Sequence, residues 1–195
     1  MTHMPEILIL RHGQTEWNLV RRFQGMMDSP LTDLGVRQAE TQGRILAAHL
    51  GGACNHQMLA SPQPRALRTA ELALGGLGGV ALPDTRLREI ALGEWEGLRR
   101  EDVALRHVLE EDDVFWWMDH APGGEGHAAV AARTSTLLAE ISRPTILVTH
   151  GITSCHLRGQ LLGLSLSETA TLTGEQGVVY CIRDGQETVL RDTAA

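Results

Sequence analysis

The 195 residues, 43% of them apolar and 21% charged, suffice for one domain with its own hydrophobic core and exclude a disordered or fibrous chain. A net charge of −7 leaves no overall basic field, so neither nucleic acid nor a membrane surface is expected as a partner. All 17 cationic residues are arginine, which excludes Schiff-base lysine chemistry and a Walker-type phosphate loop. Cys54, Cys155 and Cys181 have neither CxxC nor zinc-finger spacing and read as reduced structural thiols. No basic n-region opens the chain and no run of about 18 apolar residues occurs, so a cytoplasmic protein is expected.

In chain order, Glu6–Leu10 reads as a short strand buried on both faces, ending in Arg11-His12-Gly13. The stretch 31–50 carries apolar residues at Leu34, Ala39, Ile45, Leu46 and Leu50, with Thr32 or Asp33 as cap and Gly51-Gly52 as stop, and predicts an amphipathic helix. Residues 56–61 predict a second strand, and "SPQPRALRTAELAL" a helix opened by proline. After an edge segment over residues 75–84, the stretch from about 98 to 127 breaks the rhythm. It contains an acidic helix, the run Glu110–Asp113 and the aromatic cluster Phe115–Trp117, and reads as an insertion over the C-terminal edge of the strands. "PTILVTHG" repeats the opening design, with a helix after Gly151, and "GVVYCIRDGQETVL" predicts a hairpin turning at Asp184-Gly185. The alternation predicts an α/β fold, one domain over 1–195, with a mainly parallel central sheet flanked by helices on both faces.

In such sheets ligands bind outside the carboxyl ends of the strands. Arg11, His12, His150 and Gly151 are delivered there, Arg65 lies one helical turn past Ser61, and "LREIALGEWEG" brings Glu89. Two guanidinium forks and a helix N-terminus match an anion, phosphate above all, and their charge opposes a metal dication, so no metal and no cofactor is expected. An imidazole flanked by cations stays neutral near pH 7, which makes His12 a nucleophile for phosphorus, with His150 donating to the transferring group and Glu89 as acid and then base.

"LRHGQTEWN", "SPQPRALRTA", "LREIALGEWEG" and "VTHG" occur in the order and with roughly the spacing of the histidine phosphatase superfamily, and the chain from Ile7 to about Gly151 resembles its phosphoglycerate-mutase-like branch. The resemblance implies a phosphate pocket of Arg11, His12, Arg65 and His150, with a phosphohistidine at His12 and Glu89 as proton donor. It implies further phosphate contacts from Asn18, Thr15, Gln24 and the amide of Gly151, and it requires no metal. Small members of the family are often dimers, so a homodimer is an expectation. "PGGEG" (122–126) departs from the family's PGGES, which puts a helix cap or a rim contact in question, and Ile152 stands where smaller or polar residues are common.

The expected activity is metal-independent hydrolysis of a small phosphorylated metabolite. A cofactor-dependent phosphoglycerate mutase is the first alternative, and a non-catalytic phosphate-binding module the second. The mutase needs cations in its lid. None occurs from Glu110 to Ala132, and Arg99, Arg100 and Arg106 read as solvent-exposed, which favours hydrolysis. Glu89 competes with Glu94 and Glu96 for the acid role and with a plain ion pair to Arg86 or Arg88. The remaining histidines read as surface or satisfied-core groups, with His120 of the insertion the one to watch. The aromatic cluster reads as packing rather than substrate contact.

Overall fold

The computed structural model describes residues 4–52, 54–107 and 114–192; the run Glu110–Asp113 falls outside them. A six-stranded sheet in the order β3-β2-β4-β1-β5-β6 comprises β1 (Ile7–Arg11), β2 (Gln57–Ala60), β3 (Leu82–Pro83), β4 (Thr145–Thr149), β5 (Val179–Arg183) and β6 (Gln186–Leu190). The first four are mutually parallel, β5 pairs antiparallel with β1, and β6 antiparallel with β5. The helices are α1 (Glu16–Leu19), α2 (Asp33–Leu50), α3 (Pro64–Leu74), α4 (Arg100–His107), α5 (Val114–Trp117), α6 (Gly126–Glu140), α7 (Gly151–Leu162) and α8 (Leu166–Thr169).

Strand β1 runs one residue later than expected, so Arg11 is its last residue and pairs with Thr149 of β4. Its four aliphatics are fully buried because neighbours cover both faces, each contributing about 1.5–3 kcal/mol of transfer free energy. Alternation sends Leu8 and Leu10 toward α2 and α3, and Ile7 and Ile9 toward α6 and α7. Thr32 caps α2 by accepting from Gly35 N–H, and Gly51 at φ 63° ends it. The buried stripe of α2 is Gly35, Ala39, Gln42, Ile45 and Leu46; Leu34, expected inside, is exposed in the first turn. The hairpin turns at Asp184 and Gly185, both at positive φ.

Over the C-terminal edge of the parallel strands lies a third cluster, in which Phe23, Trp95 and Trp117 pack against Ile90, Val103 and Met118. This apolar plug roofs the strand ends with the expected insertion. Among the described residues no helix is long and apolar enough to cross a membrane.

Candidate active site

The strand ends open into a cavity of about 230 Å³ whose polar lining includes Arg11, His12, Asn18, Arg65, Glu89 and the N-terminus of α7 at Gly151. His12 is fixed by its surroundings. Its N–H donates to the Thr149 carbonyl, its own carbonyl accepts from Gln176 Nε2 at 3.0 Å, and the next N–H donates to Thr69 Oγ1. Nδ1 lies 2.8 Å from the Gly13 carbonyl oxygen, a group that only accepts. The proton therefore sits on Nδ1, and Nε2 keeps its lone pair. Burial first, and then Arg11 and Arg65, hold the His12 pKa well below the ordinary histidine value, so the ring stays neutral.

Arg11 donates from Nη1 to the Gly174 carbonyl, and Arg65 from Nη1 to Met27 O and Asp28 Oδ1 and from Nη2 to Gly25 O. The Nε of each is buried without a partner, a capacity suited to a bound anion. His150 is completely buried, its ring centroid 5.1 Å from that of His12, and its Nε2 meets Ser61 Oγ at 2.7 Å. Burial, Arg65, His12 and Arg11 lower its pKa well below the usual value too.

Glu89 pairs with neither Arg86, which binds Asp84 and Glu140, nor Arg88, whose neighbour is Glu125. Its Oε2 accepts from Ile152 N–H and its Oε1 from Thr153 N–H, both at 3.2 Å, so the carboxyl faces the first turn of α7 at the cavity wall. Glu96 instead accepts from Met26 and Leu92 N–H, and Glu94 is exposed; neither lines the cavity.

The chain's similarities fit this arrangement. Residues 7–191 match the model of the histidine phosphatase superfamily, branch 1. The chain belongs to the histidine phosphatase superfamily. It is 36% identical, over 86% of its own length and 79% of the relative's, to a glucosyl-3-phosphoglycerate phosphatase of Mycolicibacterium vanbaalenii. A protein of Proteus mirabilis named probable phosphoglycerate mutase GpmB is also 36% identical, with 83% and 76% covered. Among solved structures, a mycobacterial glucosyl-3-phosphoglycerate phosphatase with VO3 superposes with a TM-score of 0.78 at 29% identity, covering 96% of this chain and 97% of that one.

For a superfamily member, the positions named from the sequence now sort by geometry. Arg11, His12, Asn18, Gln24, Arg65, Glu89 and Gly151 share the cavity, and His150, outside its lining, packs its ring 5.1 Å from that of His12. Asn18 spends its Oδ1 on Thr15 N–H and Gln176 Nε2, leaving its amide NH₂ for a ligand. Thr15, expected as a phosphate contact, is fully buried and does not line the cavity: its Oγ1 caps α1 by accepting from Asn18 N–H, so it positions Asn18 instead. Gly13 leaves room for the Gly35 carbonyl, which would lie 2.2 Å from a Cβ, rather than for a ligand.

Arg100 also departs from expectation. It is only partly exposed, lines the cavity, stacks 5.5 Å over Phe23 and keeps a buried, unpartnered Nε. Arg22 lines the same wall. The aromatic cluster divides: Phe115 faces the cavity, Trp117 joins the third core cluster and Trp116 is exposed. His120 is exposed, away from the cavity lining. Ile152 adds an apolar side chain to the wall, and beside Gly126 the N-cap residue Glu125 makes no side-chain cap bond, but Asp119 Oδ1 accepts the His127 N–H at 2.7 Å.

Three positioning residues escaped the sequence reading. Gln63 donates to Gly25 O and accepts from Glu89 N–H, tying the loop that holds Arg65 to the loop that carries Glu89. A glutamine without a side-chain cap bond at the N-cap of α3, where Ser, Thr, Asp or Asn is preferred, was the available signal. Glu125 exchanges hydrogen bonds with Ala91, and Gln176 reaches His12 from 164 residues away; neither has a local signature.

Proposed function

We propose that this chain hydrolyses phosphomonoesters of small carboxylated metabolites through a phosphohistidine at His12. The observation that carries the reading is the free Nε2 lone pair of a neutral, immobilised imidazole between two buried guanidinium groups. Nε2 attacks phosphorus, and the P–O bond to the leaving group breaks as the Glu89 carboxyl hands its proton to the departing oxygen. Arg11, Arg65, Asn18 and the Gly151 amide hold the equatorial oxygens, and His150 adds a donor from beneath. Glu89 then takes a proton from water, the water oxygen bonds to phosphorus, the P–N bond breaks and phosphate leaves.

The leaving group lies against Phe23, Leu92, Phe115, Met118 and Ile152, with Arg100 and Arg22 facing it. An apolar wall with a guanidinium whose Nε has no partner suits a short organic group carrying one carboxylate, as a phosphoglycerate ester does, and the glucosyl-3-phosphoglycerate phosphatases are relatives by name. The test is phosphate release from a panel including nitrophenyl phosphate, 3-phosphoglycerate and glucosyl-3-phosphoglycerate, in the presence of a chelator. Arg100→Ser is expected to raise KM for carboxylated substrates about tenfold and to leave nitrophenyl phosphate unchanged; an equal effect on both contradicts the carboxylate assignment.

Arg100 and Arg22 also give the mutase reading the cations that residues 110–132 do not supply. The same panel separates the two: 2-phosphoglycerate appearing from 3-phosphoglycerate faster than inorganic phosphate would favour the mutase.

A further inference from the structure

At the opposite end of the sheet, Glu6, just before β1, gathers groups from three other segments. Its Oε2 lies 3.2 Å from His49 Nε2 at the end of α2, 3.4 Å from Cys181 Sγ on β5 and 2.5 Å from Arg183 Nη2. Its Oε1 lies 3.2 Å from His56 Nε2, just ahead of β2. We propose that Glu6, His49 and Cys181 form a binding site for a borderline-soft divalent ion of the zinc type, with His56 orienting the carboxylate from behind.

Geometry and donor chemistry both support the site. Zinc bonds of roughly 2.0–2.3 Å at tetrahedral angles place neighbouring ligand atoms about 3.4–3.6 Å apart. The Glu6–His49 and Glu6–Cys181 separations of 3.2 and 3.4 Å need only a few tenths of an ångström of adjustment, and the three ligand atoms all lie within 4.8 Å of one another. Thiolate, imidazole and carboxylate together suit zinc, whereas magnesium and calcium call for oxygen alone. A cleft lined by His49, Cys181, Arg183 and Asp184 opens on the cluster, giving an entry path and a place for water as fourth ligand.

A guanidinium beside a dication is unfavourable, and at the phosphate pocket it weighs against metal. There Arg65 is buried and tied to backbone carbonyls, whereas the Arg183 side chain is 61% exposed and leaves for water at little cost. Burial and the Glu6 contact raise the Cys181 thiol to about 11, so binding must displace its proton. The balance is one metal–sulfur bond formed, the S–H proton released to solvent, and His49 binding through Nε2 with its proton on Nδ1.

The site lies on the far side of the sheet from His12, and its effect is to clamp α2, β1 and β5. The test titrates the metal-stripped full chain with Co²⁺. One equivalent is expected to bind with a thiolate charge-transfer band and tetrahedral visible bands, and Zn²⁺ should bleach both. Cys181→Ser should abolish the charge-transfer band, His49→Gln should weaken binding by about 100-fold, and His56→Gln by about tenfold. Phosphate release by Cys181→Ser should equal that of the parent, which doubles as a folding check. Arg183→Ser leaves all ligands in place and should tighten binding. Absence of stoichiometric binding, a spectrum unchanged in Cys181→Ser, or no tightening in Arg183→Ser would each overturn the site.

Discussion

The two ends of the sheet use similar residue types to opposite effect. At the C-terminal ends of the parallel strands, arginine and histidine are held by backbone carbonyls, and the surplus is positive: Arg11, Arg65 and Arg100 stand against two carboxyls, Glu89 and the Asp28 that pairs with Arg65. At the N-terminal end a single carboxylate, Glu6, draws in two imidazoles, a thiol and an exposed guanidinium. Burial alone would raise the Glu6 pKa, yet hydrogen bonds from His49, Cys181 and His56 bring it down to about 2. One end is therefore organised to receive an anion and the other to hold one of its own. The difference lies in which partners can move.

Substitutions at the two ends should separate activity from stability. The largest effect belongs to Glu89→Gln, which is expected to slow turnover by about 10²–10⁴-fold for alkyl phosphates and much less for nitrophenyl phosphate, whose leaving group needs no proton. Equal losses on both would remove Glu89 from the acid role. Ser61→Ala strips His150 of its partner and leaves a buried nitrogen unpaired, at a cost of about 1–3 kcal/mol. Turnover should fall about tenfold with KM little changed, measured beside the thermal midpoint. Ser61→Thr, keeping the hydroxyl, should recover turnover if the hydrogen bond is the cause.

At the other end, Glu6→Gln in the metal-stripped chain should leave phosphate release intact and change acid stability. With its folded pKa depressed to about 2, Glu6 stabilises the fold above pH 4.5, and that contribution disappears as the pH falls from there toward 2. The variant's melting temperature should therefore fall less steeply than the parent's across that window, and parallel curves would contradict the hub.

The smallest effect concerns the buried His127–His156 pair, joined at 2.9 Å, in which His127 Nε2 donates to the Phe115 carbonyl. Burial first, then His127 and Arg133, lower the His156 pKa to about 4. Below pH 6.5 the unfolded chain binds a proton that the folded one refuses, so stability declines from pH 6.5 to 4. His156→Gln should make that decline shallower in melting curves, with His12 and His150 supplying the remainder.

Legibility from the sequence follows the range of the interactions. Arg11, His12, His150 and Gly151 could be placed at the sheet edge because each sits beside a strand end or helix start that announces itself locally, whereas Glu89, in a loop, was set apart from Glu94 and Glu96 by the family pattern alone. Arg100 was misread as exposed because helix position alone cannot show that Phe23, from a distant loop, covers its guanidinium. Thr15 was assigned to phosphate although Thr-x-x-Asn ahead of a short helix is a capping pattern, and that competing use of its hydroxyl prevailed. Gln176 and the Glu6–His49–Cys181 cluster depend on sequence separations far beyond any local pattern, and only the sheet order brings them together.

The nucleophile is tested most directly by acid-sensitive phosphoenzyme trapping. Protein mixed with phosphorus-labelled substrate in a chelator is quenched in alkali within milliseconds and mapped by peptide. Alkali-stable, acid-labile phosphate confined to the peptide containing His12, and missing from His12→Ala, is the expected outcome. Rapid phosphate release with no label on that peptide, or turnover surviving in His12→Ala, would contradict it.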